Sequence, residues 1–209
     1  DGNIYGVIKI GEQLWTSDNL KTTKFNDGTT IPLITDSAGW GTSNSPGFCW
    51  YSNDEAGNKN PYGALYNWNA VNTSKLCPLG WHVPTNEEFI SLENYLITNG
   101  YNFDGTTSGN KYAKSIASGS NWLLSSTAGA VGNTDYPNKQ NITGFSALPA
   151  GNRGSNGIYY SKGSSGQWWS ATSSLEFAYS KWISSDNVSV TSMPVYKTNG
   201  FSVRCLRDN

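Results

Sequence analysis

The amino-acid sequence predicts an α+β domain, with two helices in its first half and antiparallel strands in its second. Three observations carry the prediction. PTNEEFISLENYLITNG, residues 84–100, reads as an amphipathic helix: Thr85 can cap it, Glu88 completes a capping box, Phe89, Leu92 and Leu96 form one apolar stripe, and Gly100 can end it. Beyond residue 157 come the short runs IYYS, QWWSATSS, FAYSKWISS, SVTSMPVY and GFSVRCL, which read as antiparallel strands. Between these regions, residues 101–144 are rich in Gly, Ser and Asn and read as long loop, anchored by Tyr101, Phe103, Tyr112 and Trp122.

The remaining elements follow in order. VIKIGEQLWTS sets Ile8 and Ile10 around Lys9 and continues through Gly11-Glu12 to Leu14 and Trp15; a two-residue loop with Gly first is a type II′ hairpin signal. FNDGTTIPL and TDSAGWGTSNSPG carry turn formers without periodicity. PYGALYNWNAVNTS spaces Ala64, Leu65, Trp68 and Val71 as a short first helix. One weak helical turn is expected over residues 111–117. No repeat and no linker interrupts the chain, so residues 1–209 are read as one domain.

Composition limits the partners. The net charge is -1 and 14% of residues are charged, against roughly 25% in ordinary soluble proteins. Basic residues are scattered singly from Lys9 to Arg207, so no face is built to neutralise phosphates and nucleic acid is not expected. No apolar run approaches the roughly 18–20 residues that cross a bilayer, so this domain is not expected to insert into a membrane. The chain opens at DGNIYG, and any export signal or anchor is expected to have been removed. A wet, uncharged composition with 9 Trp, 12 Tyr and 7 Phe suits an extracellular adhesive module, and equally a secreted domain with a Trp-rich core.

A bond between Cys77 and Cys205 would close a loop of 128 residues, worth roughly 4–5 kcal/mol in the chain-entropy picture. Cys49 is then the odd thiol, read as a small buried apolar residue. No CxxC pair supports zinc or redox chemistry. His82, the only histidine, precedes a proline and a helix cap and is read as structural, its ring hydrogen-bonded to backbone. Glu87 and Glu88 suit the positive end of a helix dipole.

The ordered set GALYNWNAVNTSKLCPLGWHVPTNEEFISL, GFSALPAGNR, WWSATSS and GFSVRCLRD, with IKIGEQLWTSDNLKTTKFNDGTTIPL and GFCWYSND before it, resembles the Fibrobacter succinogenes major paralogous domain family of bacterial surface and secreted proteins. The resemblance spans nearly the whole chain. It implies a C-type-lectin-like fold, in which two helices pack on a curved antiparallel sheet with long loops and the chain ends lie close together. The positions Trp68, Ala70, Cys77, Gly80, Val83, Glu88 and Leu92 are similar to the lectin-fold signature, and the implied disulfide is Cys77–Cys205. The chain lacks the Glu-Pro-Asn or Gln-Pro-Asp loop and the Trp-Asn-Asp strand of calcium-dependent sugar lectins. A distant likeness to sulfatase-modifying formylglycine enzymes stops at Cys205, which has no partner cysteine near the C-terminal end.

The function expected is non-catalytic recognition at a bacterial surface or in a secreted protein, as an adhesin or lectin-like domain for a glycan or a host or bacterial surface protein. Its ligand-binding residues are read as Tyr159, Tyr160, Trp168, Tyr179, Lys181, Trp182, Asp186, Asn187 and Tyr196, because aromatic faces stack and short polar side chains adapt. Residues 152–199 are rich in Asn, Ser, Tyr and Asp, the types that retroelement diversification of such folds produces. No cofactor or metal site is expected beyond calcium in a structural role. The alternatives are a structural module of a larger surface protein, or an enzyme on extracellular polysaccharide using a pair among Asp54, Glu55, Asp135, Glu176 and Asp186.

Overall fold

The structure, a computed structural model, describes residues 1–208. In chain order its elements are β1 (Val7–Ile10), β2 (Gln13–Thr16), α1 (Ser37–Thr42), β3 (Phe48–Cys49), α2 (Glu55–Tyr62), β4 (Leu65–Tyr66), α3 (Trp68–Val71), β5 (Trp81–His82), α4 (Asn86–Thr98), α5 (Ala113–Ile116), β6 (Asn152–Arg153), β7 (Tyr159–Tyr160), β8 (Ser165–Ser174), β9 (Phe177–Ser184), β10 (Thr191–Tyr196) and β11 (Leu206–Arg207). The strands form small antiparallel sheets, of which the largest have the orders β1-β2-β11-β5 and β10-β9-β8. The chain is therefore α+β, and the first sheet brings its N-terminal hairpin against its last strand.

Local sequence explains several elements directly. Gly11 takes a positive φ between the paired strands β1 and β2, as the hairpin signal requires. Helix α4 starts on the capping box of Thr85 and Glu88, buries Phe89, Leu92 and Leu96, and is followed by Gly100 at positive φ. The helical turn expected over residues 111–117 is α5.

The expected first helix is only partly helical. Leu65 pairs with Cys49 in a strand, and the helix is α3, where the Asn67 side chain accepts from the Ala70 N–H. Polar α2 precedes it, with Asp54 accepting from the Gly57 N–H and Asn58 as its buried residue. With no apolar stripe, α2 gives the periodicity argument nothing to find. The terminal run is likewise only partly a strand: Val203 and Cys205 instead offer carbonyls to the N–H groups of Leu20 and Thr16.

Consecutive residues of β8 face opposite sides, and this divides the core. Trp169 joins Tyr66, Trp68, Phe201 and Val203 on one side. Trp168 joins Trp15, Phe89, Phe145 and Ile183 on the other. Each indole N–H is satisfied, Trp169 by the Tyr66 carbonyl at 2.7 Å and Trp168 by Asn19 Oδ1 at 2.9 Å. Arg204, fully buried, also donates to Asn19 Oδ1 and to the carbonyls of Thr16, Phe145 and Ser146. Burial lowers its pKa to about 9, so it keeps its charge at neutral pH. The Cys77–Cys205 bond ties the stretch before β5 to the residue just before β11, and Cys49 is free and buried.

Candidate recognition surface

Strand β9 builds the surface. By alternation Phe177, Tyr179 and Lys181 lie on one face, and the register sets Tyr196, Pro194 and Ser192 of β10 opposite them. Helix α4 covers one end of that face. The Lys181 ammonium lies 5.7 Å from the Phe89 ring centroid, and Ser192 Oγ donates to Asn86 Oδ1 at the helix start. Past the start of α4 the face is open: Phe177 and Tyr196 are 38% and 53% exposed, with ring centroids 5.0 Å apart. Pro194 is exposed and Tyr179 half-buried. Because β10 is an edge strand, Pro194 costs little there and blunts pairing with other chains.

The hairpin tip extends this surface. Ser174 pairs with Phe177, leaving Leu175 and Glu176 as the two-residue turn. Leu175 is 91% exposed and has a φ of 50°, in the left-handed region that turns normally give to Gly or Asn. A large apolar side chain thus stands in water on unfavourable backbone, the kind of local strain that concentrates at functional sites. Lys197 holds the turn by donating to the Leu175 carbonyl at 2.7 Å, with its amine 4.4 Å from the Trp68 ring centroid.

The nine residues read as ligand-binding do not form one site. Tyr179 and Tyr196 share the open face. Trp168 and Lys181 are 2% and 5% exposed, so reading them as surface residues is corrected: alternation turns Trp168 into the core, and α4 lies over Lys181. Burial lowers the Lys181 pKa despite attraction from Glu93 and Glu87. Asp186 and Asn187 are exposed in the β9–β10 turn, past Lys181 from Tyr179, and Trp182 is half-buried on the other face of β9. Tyr159 and Tyr160 belong to the β6–β7 hairpin and point to opposite sides of it. Tyr159 stacks over the buried Arg153 guanidinium at 4.8 Å and donates to Asn53 Oδ1, while Tyr160 accepts from Asn156 Nδ2. Phe177, Pro194 and Leu175 were missed, although period-2 alternation from Tyr179 and Tyr196 points to the first two.

A family model, the Fibrobacter succinogenes major domain, matches residues 8–207. The chain belongs to that family. No curated protein and no solved structure matches it. In this Fibrobacter succinogenes major domain, the stretch around His82 is a joint between β5, α4 and the chain end. His82 Nδ1 lies 2.6 Å from Asp208 Oδ1 and Nε2 lies 2.9 Å from Glu88 Oε1, so its partners are carboxylates and not the backbone groups expected. Partial burial opposes its charge, but the bonds to Asp208 and Glu88 outweigh it and raise its pKa. Glu88 Oε2 meanwhile accepts from the Thr85 N–H, so one carboxylate serves both the cap and the imidazole.

Most of the carboxylates considered for catalysis have structural partners. Asp54 caps α2, Glu55 pairs with Lys59 at 2.8 Å, and Asp135 holds Lys114 at 3.0 Å. Neither the cavity lined by Tyr5, Phe25 and Leu76 nor the cleft lined by Trp122 and Asp135 brings two of the five together. Among the described residues, no three His, Cys, Asp or Glu side chains converge to hold a metal ion, and no helix is long and apolar enough to cross a membrane. Burial raises the Cys49 thiol pKa to about 11, which makes it a poor nucleophile.

Proposed function

We propose that this domain is a non-catalytic recognition module of C-type-lectin-like architecture, exported to the bacterial surface or secreted, which binds an extended glycan on the open face of the β8–β9–β10 sheet. The observation that carries the reading is the uncovered row of Phe177, Tyr179, Pro194 and Tyr196 beside the strained, exposed Leu175. Rings standing on a sheet give flat stacking surfaces at little entropic cost. The hydroxyls of Thr172 and Ser192 beside the start of α4 supply the polar edge that a sugar chain needs. The lectin-like architecture is supported by the pairing of the N-terminal hairpin with the last strand, by the disulfide to the residue just before that strand, and by a capped helix against the sheet. Export is supported by the disulfide, which persists in oxidising surroundings.

The test is a broad glycan and plant-polysaccharide array, run with calcium and with a chelator, on the wild type and on Tyr179→Ala and Tyr196→Ala. Binding that disappears in both variants while the melting temperature holds within a few degrees supports the reading. Silence from folded wild-type protein, or binding indifferent to both substitutions, sinks it.

A further inference from the structure

We propose a second binding site, for a single neutral sugar ring, in the cleft beside Trp122; the choice of sugar rests on the recognition reading above, but the site itself does not. The cleft has a volume of about 290 Å³, just below the roughly 300–1,000 Å³ of small-molecule sites. That is room for one ring and not for a chain. It lies in the long loop, and its far wall, at Val131 and Gly132, meets the β9–β10 turn.

Its walls are fixed before any ligand arrives. Gly132 donates to the Ser185 carbonyl and accepts from the Ser125 N–H, and a β-carbon there would collide with the Leu123 carbonyl. Lys114, fully buried, donates to the carbonyls of Asn133 and Asp135 and to Asp135 Oδ1. It thereby clamps the loop that forms the next wall. A cavity held this way loses little freedom on binding.

The groups with spare capacity suit a sugar. Trp122 is half-buried and its indole N–H is spent on Ser118 Oγ at 3.2 Å, so what remains is an aromatic surface. Gln140 Nε2 donates to the carbonyls of Ala117 and Ser118, which fixes the amide and leaves Oε1 as an acceptor. Ser120 and Thr134 add exposed hydroxyls. The one carboxylate in the lining, Asp135, is matched by Lys114 and by the Gly129 N–H. An aromatic surface beside uncharged donors and acceptors matches a pyranose, whereas an anion or a cation would find no counter-charge.

The test is saturation-transfer NMR on the intact protein with glucose, galactose, mannose, xylose and N-acetylglucosamine, each at millimolar concentration. The expected result is transfer to at least one sugar, weakened tenfold or more in Trp122→Ala and several-fold in Thr134→Val and Ser120→Ala, and unchanged in Tyr196→Ala. Because Trp122→Ala can loosen the loop, the two hydroxyl variants, which remove no packing, decide if it fails to fold. No transfer to any of the five overturns the proposal. So does transfer untouched by the hydroxyl variants. Transfer lost only in Tyr196→Ala overturns it too, while leaving the sheet-face reading intact.

Discussion

Leu175 gives the sharpest test of whether the hairpin tip is kept for binding. Its φ of 50° puts a β-branch-free but bulky side chain in the left-handed region, at a cost of about 1–2 kcal/mol relative to a residue that tolerates it. Being 91% exposed, it recovers almost nothing by burial. Asn adopts this backbone readily through local hydrogen bonds. Leu175→Asn should therefore stabilise the domain by about 1 kcal/mol, or about 2–4 °C in melting temperature for a chain of this size. Urea unfolding with an unchanged m-value checks that the gain lies in the folded state. The same variant should weaken capture of whichever glycan the wild type binds, the trade of stability for activity expected at a functional position. A variant that melts at or below the wild type would refute the strain argument. One that melts higher and binds equally well would remove Leu175 from the recognition surface.

Three further outcomes follow from buried and partly buried groups. Lys181→Met should stabilise by about 1–2 kcal/mol, since the residue is 5% exposed and its amine makes no hydrogen bond among the described residues; glycan binding should not change. Its lowered folded-state pKa means that the unfolded chain holds more protons, so the wild type should close part of this gap as pH rises toward the unfolded lysine value. For His82 the sign is opposite. Its raised folded-state pKa gives a contribution fully present below about 6.5 and lost as pH climbs through the folded value, and an NMR titration should show the value fall in Asp208→Asn. Cys205→Ser, which opens the 128-residue loop, should cost up to about 4–5 kcal/mol by chemical denaturation; a loss under 1 kcal/mol would show that the bond constrains little.

Where the sequence was legible, a local rule acted alone. The capping box, the Phe89–Leu92–Leu96 stripe and the Gly11 turn need no knowledge of the rest of the chain, and all three stand in the structure. Long-range packing hid the rest. Trp168 and Trp169 are identical in type and adjacent, and only the sheet register says that both find core, on opposite sides. Lys181 reads as a surface residue until α4 is laid across it. His82 meets Glu88, six residues on, and Asp208, 126 residues away, and the second partner is beyond any local argument. The same reasoning explains the scattered site residues: composition marks which side chains can bind, whereas alternation and helix placement decide which of them meet.

The least legible feature is how a chain with so little regular secondary structure satisfies its backbone. Loops that run through a core leave carbonyls without ladder partners, and a buried carbonyl must find a donor. Here buried cations supply them. Arg204 takes the carbonyls of Thr16, Phe145 and Ser146, Arg153 those of Ile34, Thr35 and Gly157, and Lys114 those of Asn133 and Asp135. Among the described residues, only Lys114 of the three also pairs with a carboxylate. An arginine carries five donors in a fixed fork, so one side chain can staple several chain segments that no sheet could bring into register. The aromatic neighbours fit this role: Arg153 lies 4.6 Å from the Trp40 ring centroid and Arg204 lies 4.9 Å from that of Phe145, giving the charge a favourable surface where a carboxylate would have needed desolvation of its own. Rigid loops are therefore available without strands.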